Sequence, residues 1–121
     1  EWFRPLAPSM HEEHGREVFG VEHHDPFMIT VIQVAEEYKE KVPAVVHVDG
    51  TARPQMVSKQ TNPRYWRLID EFRKLTGIPM LLNTSFNVQE PIVCTPEDAI
   101  NTFKNANFDA LVLENNLVVR Q

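Results

Sequence analysis

Two clusters of polar residues in this sequence have the types and spacing to hold an oxygen-rich small molecule. The first is Asn83-Thr84-Ser85-Phe86-Asn87, which follows the apolar run Ile78-Pro79-Met80-Leu81-Leu82. Hydroxyls and carboxamides both donate and accept hydrogen bonds, so they suit phosphate oxygens and planar amide-like groups. Ligands of α/β sheets collect beyond the strand ends, which is where such a run would sit. A strand followed by a polar turn accounts for the same residues without any ligand. The second cluster is Asp49-Gly50-Thr51-Ala52-Arg53-Pro54-Gln55. Asp49-Gly50 is a turn signal, and Arg53 offers a planar fork of donors that matches phosphate or carboxylate oxygens. Taken alone, this cluster also reads as a surface turn with one exposed Arg. His47, just before the turn, is either a ligand contact or a hydrogen-bonded histidine at a strand end. Asp49 is expected to orient Arg53 rather than act as a base. No Ser/His/Asp nucleophile system is visible, and Cys94 reads as structural.

The elements that must position these clusters follow from periodicity and punctuation. Asn62-Pro63 opens the clearest helix, with Asn62 as the cap and Pro63 at the first helical position. Tyr65, Trp66, Ile69, Phe72 and Leu75 recur at steps of three and four, so Trp66 and Phe72 are expected as core anchors. Gly77 ends this helix. Thr95-Pro96-Glu97-Asp98 opens a second helix, with Ala99, Ile100 and Phe103 as its apolar face and Asn105-Ala106-Asn107 as its end. Strands are predicted at Phe27–Val34, Pro43–Val48 and the run from Ile78, and as a hairpin of Phe108–Leu113 with Leu117–Val119. Ala35–Lys41 reads as a linker or one helical turn. Residues 1–27 are expected to be mostly loop, with a short turn near Ser9–Val18 capped by Ser9. His11, His14, His23 and His24 are expected as solvated loop histidines rather than metal ligands. Four or five strands and two clear helices, not regularly alternated, predict an α/β (α+β) domain: a twisted mixed sheet with flanking helices.

Length and composition set the outer limits. A chain of 121 residues fits one domain with a core of its own. Its net charge of −5 argues against a general affinity for nucleic acid. The single cysteine excludes an internal disulfide and fits a reducing, cytoplasmic compartment. No apolar run approaches the ~20 residues needed to span a bilayer. The first residue is Glu1 rather than Met, which reads as a single-domain piece of a longer polypeptide.

Three segments, taken together, resemble one family. They are Trp2-Phe3-Arg4-Pro5-Leu6-Ala7-Pro8, His47-Val48-Asp49-Gly50-Thr51-Ala52-Arg53-Pro54-Gln55, and Leu82-Asn83-Thr84-Ser85-Phe86-Asn87 with Glu90-Pro91-Ile92-Val93. They resemble the C-terminal region of the O-carbamoyltransferases of nodulation-factor, cephamycin and aminoglycoside biosynthesis, and Thr95-Pro96-Glu97-Asp98-Ala99 fits the same pattern. The resemblance implies a YrdC-like fold across residues 1–121. It implies ATP and carbamoyl phosphate as substrates and carbamoyl-adenylate as product. It also implies a partner, an N-terminal Kae1-like domain of the same polypeptide with bound iron, which passes the carbamoyl group to an acceptor hydroxyl. No metal is expected in this segment. Ser85-Phe86-Asn87 matches the Ser-x-Asn element of YrdC-type sites, and the matching Lys-x-Arg element is expected just before Glu1. Arg4 and Arg53 are then the phosphate contacts, with Thr51, Thr84, Ser85 and Asn87 as neutral partners. Arg53, Ser85 and Asn87 are the expected catalytic group, gathered with Thr51 in one cleft. Two alternatives stand beside this: a threonylcarbamoyl-adenylate synthase-like domain, and a non-catalytic interaction domain with a degenerate pocket.

Overall fold

The computed structural model describes residues 5–120, so Arg4 lies outside the described residues. The chain divides into two compact units, Glu1–Thr84 and Ser85–Gln121, and each is described by itself. The α/β class expected from the sequence is what forms.

The first unit is built on a three-stranded mixed sheet. Its strands are β1 (Ala7–His11), β4 (Gln55–Val57) and β5 (Met80–Asn83), in the order β4-β1-β5. β1 pairs parallel with β4, placing Ser9 opposite Gln55, and antiparallel with β5, placing Ala7 opposite Asn83. A two-stranded antiparallel ladder joins β2 (Ile32–Gln33) to β3 (Thr51–Ala52). Two short helices, α1 (Gly15–Phe19) and α2 (Glu36–Lys39), help close the core around Met10, Val18, Tyr38, Ala52, Met56 and Met80. α2 is the single helical turn allowed for in Ala35–Lys41. The hydroxyl of its buried Tyr38 donates to Glu17 at 3.1 Å. Burial and that carboxylate push the phenol up to about 12.

Three expectations are corrected here. First, Ser9 caps no helix: it sits inside β1, the central strand, whose five residues are all buried. That strand carries Pro8 and no alternation, because both its faces are covered and the usual period-two signal is absent. His11, at its end, is buried rather than solvated. Second, the strand at Phe27–Val34 shrinks to Ile32–Gln33. The buried carboxylate of Asp25 accepts from the backbone N–H groups of Phe27, Ile29 and Thr30 and from the Thr30 hydroxyl. Those amides are withdrawn from any ladder, and Met28 takes a left-handed φ of 59° in the loop they form. Third, Pro43–Val48 is not a strand. Pro43–Val45 forms a 3-10 turn, with Val45 N–H bonded to Val42 O and Val46 N–H to Pro43 O.

The long helix α3 (Pro63–Thr76) has the cap, first residue and stop read from the sequence. Asn62 accepts from Tyr65 N–H, and Gly77 takes a φ of 79° while its N–H bonds to Arg73 O at 2.7 Å. Its stripe is only partly buried, however. Ile69 is fully inside, Trp66 is half-buried, Phe72 is 37% exposed and Leu75 is 86% exposed. α3 lies against β1 and β5, a surface too narrow to cover the whole apolar face. Trp66 is therefore a lid over His11 more than a core anchor. The two rings stack at 4.4 Å, His11 Nε2 bonds to Trp66 O at 2.9 Å, and the indole N–H donates to Glu13.

The second unit holds α4 (Pro96–Asn105) and a hairpin of β6 (Ala110–Leu113) and β7 (Asn116–Val119). Its small core is Ala99, Phe103 and Leu111, with Phe86 and Val93 packed against them. α4 opens with a full capping box: the Thr95 hydroxyl accepts from Asp98 N–H and the Asp98 carboxylate accepts from Thr95 N–H. It ends on the Arg120 guanidinium, which donates to the carbonyls of Phe103, Lys104 and Ala106 at the negative end of the helix. Because the cap satisfies two otherwise orphaned donors, Thr95→Ala is expected to cost about 1 kcal/mol. Thermal melts would show a modest downward shift, and an unchanged melting temperature would mean the box contributes nothing.

Candidate functional site

The Asp49 turn is a small hydrogen-bonded device. His47 N–H donates to Thr51 O at 2.7 Å, and Gly50 N–H donates to His47 O at 2.9 Å. Gly50 has a φ of 81°, a left-handed conformation that favours glycine; space is not the constraint, since a Cβ there would meet only the flexible end of Lys39 at 3.0 Å. Asp49 Oδ1 accepts from Thr51 N–H at 3.0 Å and from the Thr51 hydroxyl at 2.6 Å. The Thr51 hydroxyl, first, and its N–H hold the Asp49 carboxyl below the usual range. Asp49 is thus engaged with Thr51, not Arg53. Val34 N–H donates to Gly50 O, which ties the turn to the β2 segment.

Arg53 leaves this device pointing outward. It is exposed, while its neighbours Ala52 and Pro54 are both fully buried. Its backbone is pinned on either side and its guanidinium has no partner among the described residues. Thr51 differs: it is buried, and its hydroxyl is shared between Asp49 and His47 Nδ1.

One cluster was not singled out in the sequence. Ser9 Oγ donates to Gln55 Oε1 at 2.7 Å, and Asn83 Nδ2 donates to Ser9 Oγ at 2.9 Å and to Gln55 Oε1 at 3.0 Å. Gln55 in turn donates to Pro26 O at 3.1 Å. Gln55 and Asn83 belong to the second and third recognisable segments, and Ser9 directly follows the first. The signal available in the sequence was the carboxamide or hydroxyl at the edge of each segment. What it lacked was β1, which brings the three together.

Thr84 closes the first unit and Ser85 opens the second, and both are exposed. Asn87 is half-buried, and its Nδ2 donates to Glu90 O at 2.9 Å. Glu90 is the hub of this loop. Its carboxylate accepts from the Thr102 hydroxyl and from the backbone N–H groups of Val88 and Gln89. Those bonds, the Thr102 hydroxyl first, pull its carboxyl down to about 2. Lost charge there should loosen the loop only as pH falls from the unfolded carboxylate range through about 2, since a lowered folded value stabilises above that range. A Glu90→Gln variant should therefore lose the pH dependence of loop protection seen by amide exchange between pH 2 and 4; identical profiles would contradict the hub. Thr51 and Arg53 belong to the first unit and Ser85 and Asn87 to the second, so each pair has its geometry within its own unit.

Cys94 is an exposed free thiol. Among the described residues, no group of three or more His, Cys, Asp or Glu side chains is placed to hold a metal ion, and no helix is long and apolar enough to cross a membrane. The histidines are engaged otherwise: His14 with Glu17, His24 with Glu12 and His23 with the Thr30 hydroxyl.

Residues 1–120 match the family described as the carbamoyltransferase C-terminus, and the chain belongs to that family. Among its relatives, nodulation protein NolO of Bradyrhizobium diazoefficiens is 48% identical over 93% of this chain and 21% of its own length. Nodulation protein NolNO of Sinorhizobium fredii is 46% identical over 100% of this chain and 18% of its own length. An uncharacterized protein of Methanocaldococcus jannaschii is 41% identical over 99% of this chain and 20% of its own length. The chain thus spans about a fifth of the length of the curated relatives it matches.

Proposed function

We propose that this chain is the part of an O-carbamoyltransferase that binds ATP and carbamoyl phosphate and forms carbamoyl-adenylate. An iron-bearing Kae1-like N-terminal domain of the same polypeptide then passes the carbamoyl group to a hydroxyl of the acceptor substrate. The observation that carries this reading beyond the family match is Arg53: a cation without an anionic partner among the described residues, on a backbone fixed between two buried residues. A preorganised guanidinium is what a site for phosphate groups needs, because adenylate formation leaves the protein little covalent work beyond positioning and charge neutralisation.

Water cleaves carbamoyl phosphate to carbamate and inorganic phosphate. A carbamate oxygen attacks the α-phosphorus of ATP, the new P–O bond forms, and pyrophosphate leaves. The acceptor hydroxyl then attacks the carbamoyl carbon, loses its proton and expels AMP. Arg53 neutralises phosphate oxygens through its bidentate fork. Thr51, held by Asp49, keeps the turn that carries Arg53 in shape. Ser85, Asn87 and Thr84 supply neutral hydrogen bonds, and Arg4 is a second phosphate contact.

The test is pyrophosphate release by the full-length polypeptide. Release that needs both ATP and carbamoyl phosphate is expected. Release unaffected by omitting carbamoyl phosphate, or none at all, would overturn the reading.

A further inference from the structure

The bonds at the Asp49 turn fix the proton positions of His47. An ionised carboxylate only accepts, and a hydroxyl has one proton to give. The Thr51 hydroxyl gives that proton to Asp49 Oδ1 across 2.6 Å. Thr51 Oγ1 is also 3.0 Å from His47 Nδ1, and there it can only accept. His47 Nδ1 therefore carries the N–H, and the lone pair of the neutral ring sits at Nε2. The ring is half-buried, and Nε2 has no partner among the described residues. Its orientation is doubly held, through the Nδ1 bond and through the backbone pair of His47 with Thr51. A half-buried acceptor on a braced turn is suited to a ligand that brings an N–H. Arg53 follows Thr51 by two residues, about 7 Å along extended backbone, and brings a phosphate-binding group to the same turn.

We infer that His47 Nε2 accepts a hydrogen bond from the amino group of the carbamoyl moiety and so selects a carbamoyl donor over acyl phosphates that lack that N–H. The inference rests on the function proposed above and names the residue that reads one end of the substrate. Carbamoyl phosphate carries its phosphate and its amino group at opposite ends of one small molecule, matching a guanidinium and an acceptor at two points of one turn. Acetyl phosphate puts a methyl where the amino group would be and leaves Nε2 unpaired. Sites built to hydrogen-bond a substrate N–H discriminate against such analogues, because the acceptor loses that bond.

Two substitutions separate this role from a structural one. His47→Asn keeps an N–H donor near Nδ1 for Thr51 but has nothing at Nε2. His47→Gln reaches the Nε2 position with its amide oxygen. In the full-length polypeptide, His47→Asn should lower kcat/KM for carbamoyl phosphate about 10–100-fold, leave the KM for ATP and the melting temperature as they are, and narrow the preference over acetyl phosphate by a similar factor. His47→Gln should recover most of both. Nitrogen-15 spectra of the histidine-labelled wild type should show His47 protonated at Nδ1 and bare at Nε2. A wild type that turns over carbamoyl phosphate beside a His47→Asn variant with unchanged kcat/KM and preference would refute the inference and leave the function standing. An Nε2–H tautomer would refute it as well. A wild type with no ATP-dependent turnover of carbamoyl phosphate would remove the function and the inference together.

Discussion

Arg53→Ala should reduce carbamoyl-phosphate-dependent pyrophosphate release by about 10²–10³-fold while leaving the melting temperature unchanged. The size follows from removing one preorganised charge from a site whose task is to stabilise phosphate oxygens. The unchanged stability follows from the structure, where the guanidinium is exposed and bonds to nothing among the described residues. Arg53→Lys should recover only part of the rate, because an ammonium keeps the charge but not the planar fork. Steady-state rates with saturating ATP, set beside thermal melts of the same preparations, read both quantities. An alanine variant with wild-type rate would place the phosphate elsewhere. One that also melts early would show that Arg53 supports the fold.

Asp25→Ala should destabilise the first unit strongly, by on the order of 3 kcal/mol. The carboxylate is buried and gathers three backbone N–H groups and one hydroxyl. Removing it strands those donors, each at a cost of about 1–3 kcal/mol if water does not reach it. The same carboxylate gives stability a defined pH dependence. Burial alone would raise its pKa, but the Thr30 hydroxyl and the amides of Phe27, Thr30 and Ile29 outweigh burial and bring it down to about 2. A lowered folded value means the contribution is full above the unfolded value of about 4 and lost as pH falls from there through about 2. Its size is on the order of 2 kcal/mol. Denaturant melts of wild type and Asp25→Asn between pH 2 and 7 should converge at the acid end. Parallel curves would show that Asp25 titrates normally and does not clamp the loop.

The sequence made the helices legible and hid the central strand, for a physical reason in each case. α3 and α4 announce themselves by Asn62-Pro63, Gly77 and Thr95-Pro96, residues whose backbone and side-chain chemistry is local. The hairpin and β5 were also readable, because apolar runs met turn residues. β1 was not readable, since Ala7-Pro8-Ser9-Met10-His11 has neither alternation nor β-branched residues and owes its form to partners far along the chain. The long strand expected at Phe27–Val34 was lost to one side chain, Asp25, whose capture of the local amides no propensity describes. Among the candidate residues, Arg53 in the first unit and Asn87 in the second could be picked out by residue type and motif. The braces around them, Asp49 on Thr51 and Glu90 on Thr102, depend on bonds that a one-dimensional reading does not contain. The meeting of Ser9, Gln55 and Asn83 could not be read, because it requires the strand that was hidden.

The central claim, that a carbamate oxygen is joined to AMP, can be tested by following that oxygen. Carbamoyl phosphate labelled with 18O at its carbonyl is supplied with ATP and acceptor to the full-length polypeptide, and the nucleotide product is weighed by mass spectrometry. Attack of carbamate on the α-phosphorus leaves the bridging oxygen on the nucleotide when the acceptor takes the carbamoyl carbon. Because the two oxygens of carbamate are equivalent, the account predicts that about half of the AMP carries one 18O. AMP with no label, or ADP in its place, would contradict it.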